Sequence, residues 1–179
     1  MIVEDDPMVI EINSKFLKRV EGFTLLKAVS NLEDAKKIIL LGKPDLILLD
    51  VYLPKENGID FLKWIRAQEI KIDVILITAD KSIERIQEAF RYGVVNYLIK
   101  PFSFEKFKEA LLQFKDRYYT FKTNVVFEQK DLDKLMASSG ASQNEDEFAK
   151  GFNKYTYKSI WDEIEKSSLN EFTAEDLAE

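Results

Sequence analysis

Histidine and cysteine are both absent from this 179-residue chain. Without them there is no catalytic imidazole, no zinc site built from the usual ligands and no disulfide. Long apolar runs are missing too. No stretch approaches the roughly 20 residues that a membrane helix needs, and the N-terminus lacks the basic-then-apolar pattern of a signal peptide. These absences lead us to expect a soluble, cytoplasmic protein. Positive charge is scarce in one part only: the first 118 residues hold 19 basic and 19 acidic side chains, so the last 61, with 7 basic against 13 acidic, carry the whole net charge of −6. An acidic tail of this kind is a poor partner for a phosphate backbone.

Acid is plentiful at the start. Glu4, Asp5 and Asp6 follow directly on the apolar residues Met1, Ile2 and Val3. Three adjacent carboxylates repel one another, and a metal ion is the first candidate to offset them. Further along, short apolar runs alternate with amphipathic stretches, the rhythm of an α/β sheet. Val9, Ile12, Phe16 and Val20 recur at helical spacing, "FTLLKAV" reads as a strand, and "NLEDAKKIILLG" reads as a helix stopping at Gly42. "PDLILLD" is a continuous apolar run of the kind buried in parallel sheets, and it ends in Asp50. Helix, strand, helix and strand signals follow in "GIDFLKWIRAQ", "DVILIT", "SIERIQEAFRYG" and "VVNYLIKP", with a last helix from near Ser103. Five strands and five helices in alternation predict a doubly wound parallel five-stranded sheet, with its ligand crevice at the carboxyl ends of the strands.

Glu4, Asp5, Asp50, Thr78 and Lys100 fall at those ends. Carboxylates are hard oxygen ligands suited to Mg2+. Asp50 is placed as a nucleophile toward a phosphoryl group, Lys100 could pair with a phosphoryl oxygen, and the Thr78 hydroxyl could donate to another. A strand-terminal Asp alone is most often a turn residue and a lone Lys a solvated charge. Five such residues at the ends of four strands favour a site.

"IVEDDP", "DLILLDVYLPKENGIDFLKWIR", "LITAD" and "YLIKPF" resemble the receiver domain of bacterial two-component response regulators. The resemblance implies a flavodoxin-like (βα)5 domain over residues 1–121, phosphorylated on Asp50 by a sensor histidine kinase. It implies Glu4, Asp5, Asp50 and the Tyr52 backbone carbonyl as ligands for Mg2+, Thr78 and Tyr97 as the switch pair, Lys100 as the phosphate sensor and a cis peptide before Pro101. Asp6 ranks below its two neighbours. Such a protein is no enzyme beyond its own phosphorylation and dephosphorylation. Only three residues precede the acids, whereas receivers usually supply a longer first strand, so the central strand is expected to be clipped.

The last helix of this unit carries Phe107, Leu111, Phe114, Tyr118 and Phe121 at heptad spacing. Its first half should pack on the sheet, while Tyr118 and Phe121 are expected at a homodimer interface promoted by phosphorylation. A linker is expected over 122–150, and amphipathic helices at 157–164 and from Thr173 read as a partial helix-turn-helix domain over 151–179, truncated in or before its reading helix. This tail is similar to regulators of the citrate and dicarboxylate sensing family, which implies promoter DNA as a partner of the full-length protein only. The alternative is a stand-alone receiver working through protein contacts.

Overall fold

The computed structural model describes residues 1–42, 44–123 and 129. Its elements run β1 (Ile2–Val3), α1 (Pro7–Lys18), β2 (Ala28–Val29), α2 (Leu32–Gly42), β3 (Leu46–Asp50), β4 (Tyr52–Leu53), β5 (Glu56–Asn57), α3 (Gly58–Ala67), β6 (Asp73–Thr78), α4 (Ile83–Arg91), β7 (Asn96–Ile99) and α5 (Phe104–Thr123). β2, β1, β3, β6 and β7 form, in that order, one sheet whose pairings are all parallel. This is the doubly wound arrangement expected. β4 and β5 form a separate two-residue hairpin inside the "VYLPKENG" loop, which the sequence pattern did not announce. The linker expected at 122–150, apart from the end of α5 and Gln129, and the partial helix-turn-helix at 151–179 lie outside the described residues.

Alternation along the central strands divides the core in two. Ile47 and Leu49 of β3, with Val74 and Leu76 of β6, face α2 and α3, where Ile39, Ile59, Phe61, Leu62 and Ile65 are buried. Leu46 and Leu48, with Ile75 and Ile77, face Leu17 of α1 and Phe107, Leu111 and Phe114 of α5. Because strand side chains alternate, a one-residue slip of β3 would exchange these two sets, so burial on both faces pins the register. Complete burial of a ring such as Phe107 contributes about 2–3 kcal/mol.

α1 starts where its local chemistry says it should. Asp6 is the N-cap, accepting from the amides of Met8 (2.8 Å) and Val9 (3.4 Å), and Pro7 occupies the first turn. The third acid of the opening cluster is therefore engaged in capping. The buried line on α1 is Asn13 and Leu17, with Phe16 half-buried and Ile12 44% exposed, so the stripe read from sequence is rotated. The reason is that α1 packs against β1 and α5 along the edge of its apolar face.

That rotation buries an amide: Asn13 is 2% exposed and its Oδ1 has no hydrogen-bond partner among the described residues. An orphaned buried acceptor costs about 1–3 kcal/mol. Asn13→Leu is therefore expected to stabilise the protein by about 1–2 kcal/mol, read as a higher urea midpoint with unchanged slope. A lower midpoint would show that the amide makes contacts worth more than its desolvation.

Candidate functional site

The carboxyl ends of the strands collect the site. Glu4 and Asp5 follow β1, Asp50 closes β3, Thr78 closes β6 and Lys100 follows β7. β1 and β3 are neighbours in the middle of the sheet, and the chain order reverses there, which is where such sheets open a crevice. Backbone bonds fix the frame: the Glu4 amide donates to Val29 O (3.1 Å), and the Lys100 amide to Thr78 O (2.7 Å). The Lys100–Pro101 peptide is cis.

Glu4, Asp50 and Thr78 are almost fully buried, at 3%, 7% and 0% exposure, and Asp5 is half-buried. Carboxylate oxygens of Glu4, Asp5 and Asp50 lie within 4.8 Å of one another. The Lys100 ammonium donates to Glu4 Oε2 and to Asp50 Oδ2, each at 2.7 Å. Burial pushes the Glu4 carboxyl above its usual range, and the nearby Asp50 charge adds to this, while the bond from Lys100 works against it. For Lys100 burial pulls downward, but the bonds to Asp50 and Glu4 outweigh it and the ammonium is held above its ordinary value. Three convergent hard oxygen donors fit a small divalent cation such as Mg2+.

The other Asp50 oxygen is held from the loop beyond. The Tyr52 amide donates to Asp50 Oδ1 at 3.1 Å. Tyr52 is 52% exposed, and its phenol reaches across the crevice to donate to Asp80 Oδ2. Asp80 Oδ1 accepts from the Ser82 amide (2.8 Å), and the Asp80 amide donates to Thr78 Oγ1 (3.1 Å). Together, the Tyr52 and Ser82 donors hold the Asp80 carboxyl down at about 2. The Tyr97 hydroxyl donates to the Asp80 backbone carbonyl at 3.1 Å. Its ring packs against the α2–α3 side of the core, and burial, with help from the Asp80 charge, pushes its phenol up to about 12.

Sequence reasoning missed two residues. Asp80 joins Tyr52, Thr78 and Tyr97. Its one local signal is the spacing to Ser82 in "TADKS", which suits an Asx turn. Gly58, the first residue of α3, lies against the Asp50 backbone: a Cβ there would sit 2.2 Å from Asp50 O and 2.9 Å from Val51 Cα. Nothing in "KENGIDF" reveals this closeness. The expected dimer residues stand apart from the site. Phe121 is 58% exposed, whereas Tyr118 tilts against Phe114 and donates its hydroxyl to Asp45 Oδ1 at 2.7 Å. A cavity of about 770 Å³ lies at the opposite end of the sheet among Pro44, Asp45, Ile72 and Tyr118, away from the acids.

Residues 1–112 match the family model of the response regulator receiver domain. The chain belongs to that family. Among its relatives, the transcriptional regulatory protein MalR of Bacillus subtilis is 40% identical over 178 residues, covering 99% of this chain and 76% of the relative. A probable C4-dicarboxylate response regulator, DctR of Halalkalibacterium halodurans, is 36% identical over 93% of this chain and 72% of its own length. The transcriptional regulatory protein DcuR of Escherichia coli is 35% identical over 99% and 76%. Among solved structures, the receiver domain of a LuxO-type repressor from Vibrio parahaemolyticus superposes with a TM-score of 0.65 at 27% identity, over 70% of this chain and 95% of that one. A LuxR-family DNA-binding response regulator from Staphylococcus aureus gives 0.58 at 28% identity, over 63% and 93%. The receiver family and the resemblance to dicarboxylate-linked regulators therefore stand as read from the sequence. Among the described residues, no helix is long and apolar enough to cross a membrane.

Proposed function

We propose that this chain is the phosphoacceptor part of a transcriptional regulator, with Asp50 as the acceptor and a sensor histidine kinase as the donor. The observation that carries the reading is a buried carboxylate flanked by two acids and a lysine at the switch point of a receiver sheet. An Asp50 carboxylate oxygen attacks phosphorus. A carboxyl O–P bond forms, and the bond from phosphorus to the donor atom breaks, its electron pair leaving with the donor. Glu4, Asp5, Asp50 and the Tyr52 carbonyl would hold Mg2+, which would offset charge on the phosphoryl oxygens. The Lys100 ammonium, already on Asp50 Oδ2, moves onto a phosphoryl oxygen. The Thr78 hydroxyl accepts from Asp80, so its own proton can go to another phosphoryl oxygen.

The relatives named as transcriptional and C4-dicarboxylate regulators match past residue 118 as well as across the receiver, which favours a regulator with an output region over a stand-alone receiver. Phosphorylation then promotes a homodimer through the α4–β7–α5 surface and Phe121. Pairing sets two DNA-reading domains of the full-length protein at a fixed spacing on promoter DNA.

Incubation with a small phosphodonor and magnesium is expected to add one phosphoryl group, mapped by mass spectrometry to the peptide containing Asp50. Labelling elsewhere, or none with magnesium present, would overturn the reading.

A further inference from the structure

Asp80 is bonded to both walls of the crevice. On one side its amide rests on Thr78 Oγ1 at 3.1 Å. On the other its carboxylate takes the phenol of Tyr52, 28 residues away on the loop that follows Asp50. Its remaining oxygen turns back on Ser82, 2.8 Å from the amide. The backbone carbonyl of this doubly tethered residue is the acceptor on which the Tyr97 hydroxyl sits, at 3.1 Å. Tyr52 is itself tied at its amide to Asp50 Oδ1. A chain of hydrogen bonds thus runs from Asp50 through Tyr52 to Asp80, where it branches to Thr78 and to Tyr97.

We infer that Tyr52 is a positioning residue: through Asp80 it holds the carbonyl that keeps Tyr97 half-buried, and so sets how firmly the Asp50 site is coupled to the β7 surface. Tyr97 pairs with Leu76 across the β6–β7 ladder, and its phenol must find a polar partner where it is partly desolvated. That partner is a loop carbonyl, and a loop anchored at one end only is free to fluctuate. The Thr78 hydroxyl anchors the loop to β6. The Tyr52 phenol supplies a second anchor from β4, two residues past the phosphoacceptor and tied to it through the Tyr52 amide. Any displacement of Thr78 toward Asp50 carries Asp80 with it through the amide bond, and the Tyr52 tether prevents the loop from absorbing that displacement by bending outward. The coupling is a hydrogen-bonded network with named members. Its link to phosphorylation rests on the function proposed above, whereas its effect on Tyr97 does not.

Tyr52→Phe keeps the ring and deletes the tether. The test uses the full 179-residue protein with fluorotyrosine incorporated, the Tyr97 resonance being assigned from Tyr97→Phe. In the unphosphorylated protein Tyr52→Phe is expected to move that resonance toward its solvent-exposed position, and Asp80→Ala is expected to do the same. At equal Asp50 labelling, verified by mass, the dimer should be weakened roughly fivefold, the lower end of ordinary coupling between sites. A Tyr97 resonance unmoved by Tyr52→Phe would overturn the inference, and so would a shift seen with Asp80→Ala alone. Absence of labelling at Asp50 in the parent protein would instead count against the proposed function and leave the fluorine result to decide the tether.

Discussion

Gly58→Ala is expected to cost about 3–5 kcal/mol of stability, at the severe end for a single substitution, and to abolish labelling of Asp50 in whatever fraction stays folded. The reason is the absence of room beside backbone. The added Cβ would stand 2.2 Å from Asp50 O, 2.9 Å from Val51 Cα and 3.1 Å from Asp50 C. A flexible side chain could swing away, but these atoms belong to the end of β3, which is locked into the centre of the sheet by pairing with β1 and β6. α3 cannot retreat easily either. The Gly58 amide donates to Val51 O at 2.8 Å, Asn57 caps the helix by accepting from the Ile59 amide, and Ile59, Phe61, Leu62 and Ile65 are buried beneath it. Relief must come from lifting the first turn of α3 or from displacing Asp50, and either breaks the site. Gly93→Ala is the contrasting control. Gly93 has φ of +71°, and the nearest atom a Cβ would meet is Arg66 Nε at 3.9 Å, so the cost there is conformational, about 1 kcal/mol. Urea denaturation followed by far-ultraviolet circular dichroism ranks the two. Equal losses would show that crowding at the β3–α3 joint is not the dominant effect.

The readability of this chain from sequence divides along a physical line. Residues that announce themselves do so through position on a strand: Asp50, Thr78 and Lys100 each end an apolar run, and the fold then brings those ends together. The apolar runs are unambiguous because both faces of β3 and β6 are buried, so local pattern and tertiary environment agree. Asp80 and Gly58 do not announce themselves, since their importance comes from what the folded backbone places beside them. The phase of α1 was hidden for a similar reason. Ile12 and Asn13 are consecutive and so point about 100° apart around the helix, and only packing against β1 and α5 decides that the amide goes in and the isoleucine stays out. The β4–β5 hairpin was hidden by length, because two-residue strands carry no periodicity. Glu56 of that hairpin accepts from the Leu32 amide at 2.8 Å and so helps to cap α2, a long-range capping contact with no sequence signature.

Lys100→Ala is expected to destabilise the metal-free protein by about 3 kcal/mol, and magnesium is expected to recover most of the loss. Lys100 Nζ lies 2.7 Å from both Glu4 Oε2 and Asp50 Oδ2, and the two carboxylate side chains are only 4% and 8% exposed. Removing one partner of a buried ion pair leaves an uncompensated charge, typically costing about 3–5 kcal/mol. The partial exposure of the lysine, 23% of its side chain, places this case toward the low end. Here two carboxylates lose their cation together, and each then repels the other at close range. Part of that penalty is relieved by protonation of Glu4, whose carboxyl burial already pushes upward, so the loss should be greatest at alkaline pH, where Glu4 stays ionised. Asp5→Ala is the opposite case. Asp5 is half-buried and is a member of the three-acid cluster, while the lysine's two ion pairs are with Glu4 and Asp50. Its removal should change the metal-free protein little yet weaken magnesium binding more than Lys100→Ala does. Saturating magnesium at 100 times its dissociation constant stabilises a folded protein by about 2.7 kcal/mol, enough to separate the variants in thermal melts with and without the ion. Lys100→Ala should melt low without magnesium and rise steeply with it, whereas Asp5→Ala should melt near the parent and rise little. If Lys100→Ala melts at the parent temperature without metal, the lysine is not the counter-ion that holds the acid cluster together.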